Sequence, residues 1–341
     1  MSRIKIRKIK SWYVDFLEKE RKKGFEALFY LFLIILSFLY GLIVATRNFL
    51  YNRKIIPPTI VKSKVISIGN LSWAGSGKTT LALYLYRKLS TQFRTAILRR
   101  GYGNDEGKLI AEKTQDVFSS PNRAGLAKNK SSEFELFLLD DGLQYHKLKK
   151  NLEIVVMGAR ELKKSYRLIP ASFFREPLRA LKRAQILVLN YADEIQDRAL
   201  SKKHLNERFP HLKIYFARYS IKGFLDLDGN EYKREDLINK RVGALAAIGY
   251  PQGFFNKLRE TGIVPARKIV YPDHYQLNKG EFDKLSYELL DEGIGTLIIT
   301  SKDKYHIPQN IDTKIKIIIM EIEIKIEEEK DFLQNVKTYL K

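Results

Sequence analysis

Between Glu26 and Arg47 the chain carries no charged side chain: residues 27–46 read Ala-Leu-Phe-Tyr-Leu-Phe-Leu-Ile-Ile-Leu-Ser-Phe-Leu-Tyr-Gly-Leu-Ile-Val-Ala-Thr. About 20 apolar residues in a helix cross the hydrocarbon core of a bilayer, so the pattern predicts a retained membrane helix. Two other readings compete. A signal peptide would want a shorter apolar core and a small-residue cleavage site, which Thr46-Arg-Asn-Phe-Leu-Tyr51 does not offer. A helix buried wholly in protein would need partners around most of its circumference.

Beyond this segment the period changes. Short apolar runs recur at 64–69, 94–98, 135–139, 152–157, 186–190, 213–217, 243–248, 266–270, 296–300 and 315–320, with helical stretches between many of them. That alternation predicts parallel α/β sheets. A polar stretch from Asp193 to Lys203 separates two sets of runs. The predicted organisation is therefore a basic N-terminus and membrane helix over 1–46, a core lobe over 47–200 and a second α/β lobe over 201–341. Two such lobes place a cleft between them, where a transferase can exclude water.

The first of these runs leads directly into Gly69-Asn-Leu-Ser-Trp-Ala-Gly75-Ser76-Gly77-Lys78-Thr79-Thr80. Small residues between a strand and a helix let backbone N–H groups face a triphosphate. Lys78 then supplies a point charge to the β/γ-phosphates and the Thr79 hydroxyl can ligate Mg²⁺. The first glycine of the usual pattern would fall at 72, where this chain has Ser, and the nearest upstream glycine is Gly69. The strand-loop-helix setting is nonetheless the one the motif requires. Residues 75–80 are accordingly read as the nucleotide site.

The run Phe134-Glu-Leu-Phe-Leu-Leu-Asp140-Asp141-Gly142 ends a strand in adjacent carboxylates. A phosphate-loop enzyme needs one acid at the end of a neighbouring parallel strand to hold Mg²⁺ directly or through water. Asp140, Asp141 and Thr79 are the candidate metal residues. Consecutive strand residues point in opposite directions, so sequence order does not choose between the two acids.

Charge changes the picture of partners. The chain has 61 Lys and Arg against 39 Asp and Glu, a formal charge of +22, and the excess begins with Arg3, Lys5, Arg7, Lys8 and Lys10. Such charge attracts phospholipid headgroups or phosphorylated substrates, and it would also attract nucleic acid. No nucleic-acid recognition module accompanies it, and an apolar anchor is an odd companion for one. Having no cysteine, the chain lacks disulfides, thiolate zinc sites and cysteine nucleophiles alike.

Eight motifs in order then carry a resemblance: Ile68-Gly-Asn with Gly75-Ser-Gly-Lys-Thr79, Arg100-Gly-Tyr-Gly103, Asp140-Asp-Gly-Leu-Gln144, Leu168-Ile-Pro-Ala171, Arg175-Glu-Pro-Leu178, Ile248-Gly-Tyr-Pro-Gln-Gly-Phe-Phe255, Pro272-Asp-His274 and Ser301-Lys-Asp303. Together they resemble the tetraacyldisaccharide 4′-kinase family of lipid A biosynthesis over nearly the whole chain. The resemblance implies ATP and Mg²⁺ as cofactors and an acylated glucosamine disaccharide 1-phosphate as the lipid substrate, phosphorylated at its 4′-hydroxyl to lipid IVA. It implies a two-lobed phosphate-loop protein at the inner membrane. Because ATP is cytosolic, the catalytic body would face the cytoplasm.

The resemblance also assigns roles by position. Asp105 falls in the family's catalytic-aspartate position if a hairpin usually found there has been deleted, and His274 matches its histidine partner. Lys78 and Arg175 complete the catalytic set. Tyr102, Glu106, Arg123 and Gln144 fall at substrate-contacting positions. Asn104-Asp-Glu-Gly107 taken alone reads equally as a solvated turn. This chain departs from the family at Leu143, at Tyr145 with His146 one position late, at Thr80, at Arg99 and at Ser301. A membrane-tethered regulatory NTPase is the rival reading: Asn190-Tyr-Ala-Asp193 superficially resembles a guanine-reading motif with Tyr191 in place of lysine.

Overall fold

The computed structural model describes residues 12–13, 16–17, 19, 22–73, 75–101, 104–162, 166–308 and 313–341, the side chains of 104–106 excepted. The described chain divides into two compact units. One comprises the segments up to Gly101, Thr114–Arg218 and Ile324–Lys341; the other comprises the segment ending at Lys113 and Tyr219–Glu323. The cuts thus fall at four places, where the sequence reading has one boundary near 200.

In the first unit, seven strands form a parallel sheet in the order β7, β6, β5, β1, β4, β2, β3. They are β1 (Lys64–Gly69), β2 (Thr95–Arg99), β3 (Val117–Ser119), β4 (Leu136–Asp140), β5 (Leu152–Gly158), β6 (Ile186–Asn190) and the start of β7 (Lys213–Asp226). Strand β1 runs between β4 and β5, with Ile68 opposite Asp140 on one side and Ile154 on the other. The four strands β2, β4, β5 and β6 are buried throughout. Helices cover both faces of a parallel sheet, which explains why these runs are continuously apolar.

The second unit has its own parallel set: β9 (Val242–Ala246) lies between β10 (Arg267–Val270) and β11 (Thr296–Thr300), and β11 pairs with β12 (Lys316–Ile326). The far end of β7 turns back on the short β8 (Glu231–Tyr232) as an antiparallel hairpin. Phe254, Phe255 and Leu258, on one face of the helix Pro251–Glu260, pack into the core beside Ala244 and Ile298.

The apolar segment forms a 28-residue helix, α1 (Phe25–Asn52), long and apolar enough to cross a membrane. Only 17% of its most apolar window is buried, which removes the reading of a core helix. Leu33, Ser37, Val44 and Asn48 are covered by the body, whereas Phe25, Leu28, Phe38 and Ile43 are each at least two-thirds exposed. Polar groups on the covered face bond the segment 168–176: Ser37 Oγ donates to the Leu168 carbonyl at 2.8 Å and the Tyr40 hydroxyl to the Arg175 carbonyl at 3.1 Å.

Candidate active site

Strand β1 delivers the chain to the loop at Gly69, where close packing dictates the residue. A Cβ at Gly69 would sit 2.5 Å from Cβ of Leu143, because the turn after β4 crosses directly above it. This accounts for the glycine at 69. Asn70 and Asn190 hold the loop from within: Asn70 Nδ2 donates to Ser76 Oγ at 3.0 Å, and Asn190 Nδ2 donates to the Ser76 carbonyl at 2.9 Å. Asn190, the first residue of the guanine-reader-like sequence, is thus engaged with the loop, and Asp193 pairs with Arg198 at 3.6 Å.

Gly77 adopts φ +93°, a left-handed conformation natural to glycine, and the helix α2 (Lys78–Leu89) starts immediately after it. No side chain caps this helix. Among the described residues, its first N–H groups thus meet no capping side chain, as an anion site requires. Thr79 is buried at the first turn, Thr80 half-buried, and Gly75 exposed at the loop's mouth.

Opposite the loop stands the acidic turn. Asp140 ends β4 buried, at 4% exposure, and Asp141 follows in a left-handed conformation with φ +51°. Lys78 Nζ lies 3.7 Å from Asp141 Oδ1. Arg175 takes the same carboxylate in a fork, Nη2 to Oδ1 at 2.8 Å and Nη1 to Oδ2 at 3.2 Å, and its Nη2 also donates to Asn70 Oδ1 at 2.6 Å. Burial works to raise the Asp141 carboxyl, but Lys78, the Arg175 hydrogen bond and Arg123 outweigh it and hold the group well below the usual carboxylate range.

Other predicted substrate residues are engaged with the turn. Arg123 is buried; its Nη1 donates to the carbonyls of Asp140 and Asp141 at 2.8 and 3.3 Å, and its guanidinium lies 4.1 Å over the Tyr145 ring. Gln144 Nε2 donates to the Asn70 carbonyl at 2.9 Å. Tyr145 receives the Ala124 N–H on its hydroxyl at 2.9 Å. His146 stacks on Tyr51 with ring centroids 4.9 Å apart; burial, then Arg183, Lys150 and Arg47, push its pKa down to about 3.

Arg175 is fixed from behind by its neighbour. Glu176 is fully buried; it accepts hydrogen bonds from Arg47 and from Asn48 Nδ2 at 3.1 Å, and it pairs with the Arg183 guanidinium at 3.5 Å. The N–H groups of Arg175 and Glu176 both donate to the Leu71 carbonyl, at 2.7 and 3.1 Å. The end of α1, the Arg175 segment and the phosphate loop are consequently one bonded assembly. Glu176 and Asn70 stand inside the Arg-Glu-Pro and Ile-Gly-Asn motifs, but their roles emerge only from partners that the fold brings to them.

In the second unit His274 has φ +64° and lies 3.5 Å from Asp273, half exposed. Its ring is 6.3 Å from that of His306, which meets the fully buried Asp303 at 3.0 Å. Asp303 also accepts from the Ala247 N–H and the Thr300 hydroxyl at 2.9 and 2.6 Å, which makes the Ser-Lys-Asp motif a brace for the unit. Asp105 and Glu106 fall in the first turn of the helix α3 (Asn104–Lys113), whose end bonds the same unit through Glu112 to Lys304 and Lys113 to Glu321. The side chains of Asp105 and Glu106, and Tyr102 entirely, lie outside the described residues.

Among the described residues, no three His, Cys, Asp or Glu side chains converge as a closed metal cage. Thr79 with Asp140 and Asp141 suits Mg²⁺, an ion that keeps several waters and phosphate oxygens beside one or two protein ligands.

A parallel sheet with a phosphate loop free of side-chain capping, facing a cation-clamped acidic turn, defines a phosphate-loop nucleotide-binding protein. The family model for tetraacyldisaccharide-1-P 4′-kinase matches residues 29–108 and 104–341. The chain belongs to the tetraacyldisaccharide 4′-kinase family. It is 27% identical over 378 residues to the tetraacyldisaccharide 4′-kinase of Halothermothrix orenii, with 98% of each chain covered. It is 31% identical over 291 residues to that of Anaeromyxobacter dehalogenans, with 76% of each covered. Among solved structures it is similar to the apo form of LpxK from Aquifex aeolicus in complex with ATP, at TM-score 0.68 and 28% identity, covering 90% of this chain and 98% of that one.

Proposed function

We propose that this protein transfers the γ-phosphoryl group of ATP to the 4′-hydroxyl of a tetraacyldisaccharide 1-phosphate, giving lipid IVA, at the cytoplasmic face of the inner membrane. The observation that carries the reading is the Arg175–Asp141 fork beside Lys78, at the mouth of an uncapped phosphate loop. The loop N–H groups and Lys78 bind the triphosphate. Mg²⁺, when bound by Thr79 and the acidic turn, neutralises charge on the phosphate oxygens.

Asp105, oriented by His274, accepts the 4′-hydroxyl proton as that oxygen bonds to the γ-phosphorus and the bond to the β-phosphate oxygen breaks. ADP leaves. Arg175 supplies cationic charge, and Arg123 and Gln144 keep the turn and the loop in register, since both are engaged there. By the family resemblance, Tyr102 and Glu106 are assigned to the substrate.

The substrate favours a membrane-seated enzyme. Each buried CH₂ is worth about 0.8 kcal/mol, so an acceptor with four acyl chains stays in the bilayer. The exposed face of α1, with Arg53 and Lys54 following it, suits an apolar layer bordered by anionic headgroups. Transfer of labelled γ-phosphate to tetraacyldisaccharide 1-phosphate in detergent micelles tests the reading. A preparation that binds ATP but makes no lipid product favours the regulatory NTPase instead.

A further inference from the structure

Beneath the acidic turn lies a buried ion pair that the reaction above does not use. Lys150 Nζ sits 2.9 and 3.0 Å from the two carboxylate oxygens of Glu153, with side chains 10% and 8% exposed. The same ammonium donates to the Gly142 carbonyl at 2.6 Å, and Glu153 Oε1 accepts from Ser67 Oγ at 2.6 Å. Lysine, glutamate and serine thus tie three neighbouring pieces of chain together: the segment entering β5, β5 itself and β1.

Gly142 is seated tightly in this arrangement. A Cβ there would come within 2.2 Å of Ser67 Oγ and 3.0 Å of Leu139. Arg123 caps the two preceding carbonyls, of Asp140 and Asp141. Three consecutive carbonyls of the turn are therefore held by buried or half-buried cations. Between them Asp141 keeps a positive φ, which a residue with a Cβ adopts only where its surroundings impose it. With the carbonyls drawn to the cations on that side, the Asp141 carboxylate is left to meet Lys78 and Arg175.

We propose that Lys150 and Glu153 are positioning residues for phosphoryl transfer: their buried pair anchors the Gly142 carbonyl and so fixes the Asp141 carboxylate between Lys78 and Arg175. The proposal rests on the kinase reading of the turn. Stability alone is a weak reason for such a pair, because buried ion pairs replaced by apolar residues of similar volume often leave a protein as stable as before. Removing Lys150 alone would strand the Glu153 carboxylate, so the test uses the double variant Lys150→Met/Glu153→Leu beside Lys150→Arg.

The measurements are kcat and KM for ATP, thermal unfolding of the full chain in detergent, and the crystal structure of the double variant. The expected result is a double variant that unfolds within a few degrees of the parent and keeps its KM for ATP, with kcat at least tenfold lower. Lys150→Arg, which can still donate to both acceptors, recovers most of that loss. A double variant with parental kcat overturns the proposal. So does a fall in kcat that merely tracks a lowered unfolding temperature and that Lys150→Arg does not reverse. If the parent chain itself makes no lipid product, the kinase reading fails; the variant's crystal structure still decides the positioning claim, an intact Arg175–Asp141 fork refuting it and an opened fork supporting it.

Discussion

Arg175 grips Asp141 through both ends of its guanidinium while its backbone N–H is bonded to Leu71, one residue past the Gly69-Asn70 turn. A planar two-point clamp on a carboxylate is specific to arginine; lysine offers a point charge on a flexible stem. Arg175→Lys should therefore behave more like Arg175→Ala than like the parent. We expect both to lower kcat by roughly a hundredfold, the order seen when one electrostatic stabiliser of a transition state is lost. Steady-state kinetics with saturating lipid acceptor would check it, and near-parental rates in Arg175→Lys would remove the clamp from the mechanism.

Glu176 is a different matter, because it touches α1 rather than the turn. Its carboxylate is fully buried and meets Arg47, Asn48 and Arg183. Truncating one partner of a buried charged cluster strands the others and typically costs about 3–5 kcal/mol. Glu176→Ala should unfold at markedly lower temperature in detergent, and Arg47→Ala, whose side chain is partly exposed, by less. Equal unfolding temperatures for Glu176→Ala and the parent would mean that the cluster does not hold the helix to the body.

The proposed pair, Asp105 and His274, calls for kinetics of another kind. Asp105→Ala and His274→Ala should each depress kcat sharply while ATP affinity stays close to parental, since neither residue belongs to the Gly75–Thr80 sequence read as the nucleotide site. If both variants turned over lipid at the parental rate, neither would be a base.

His146 gives a pH prediction. Its folded pKa is held down to about 3, by burial first and by Arg183, Lys150 and Arg47 after it, against 6.5 when unperturbed. Between those values the unfolded chain binds a proton that the folded chain does not. Its contribution is thus fully present above pH 6.5 and is lost progressively as pH falls toward 3. His146→Phe, which keeps a ring against Tyr51, should lose less stability than the parent on acidification from pH 7 to 5. Parallel pH profiles of unfolding for the two proteins would contradict this.

The strands were legible because a parallel sheet covered on both faces leaves no polar side: the runs at 64–69, 186–190 and 296–300 coincide with β1, β6 and β11. Val117–Ser119 and Glu231–Tyr232 escaped, being too short and too exposed to make an apolar run. The longer extents of β7 and β12 escaped for a related reason, since their far ends alternate buried and half-exposed positions. At the site, the phosphate loop and the two acids follow from local chemistry. Glu176, Lys150 and Glu153 do not, because a charged residue in a sequence reads as solvated until its partners from 128, 3 and 86 residues away are brought to it. The departure at Tyr145 acquires a physical meaning only in three dimensions, where its hydroxyl accepts the Ala124 N–H and its ring carries the Arg123 guanidinium.

The most direct test of the account is transfer of labelled γ-phosphate from ATP to tetraacyldisaccharide 1-phosphate in micelles, for the parent chain and Lys78→Ala. We expect 4′-phosphorylated lipid from the parent and a loss of at least a hundredfold in Lys78→Ala, whose ammonium lies 3.7 Å from Asp141 and is the proposed partner of the triphosphate. ATP binding by the parent with no labelled lipid, or equal product from both proteins, would contradict it.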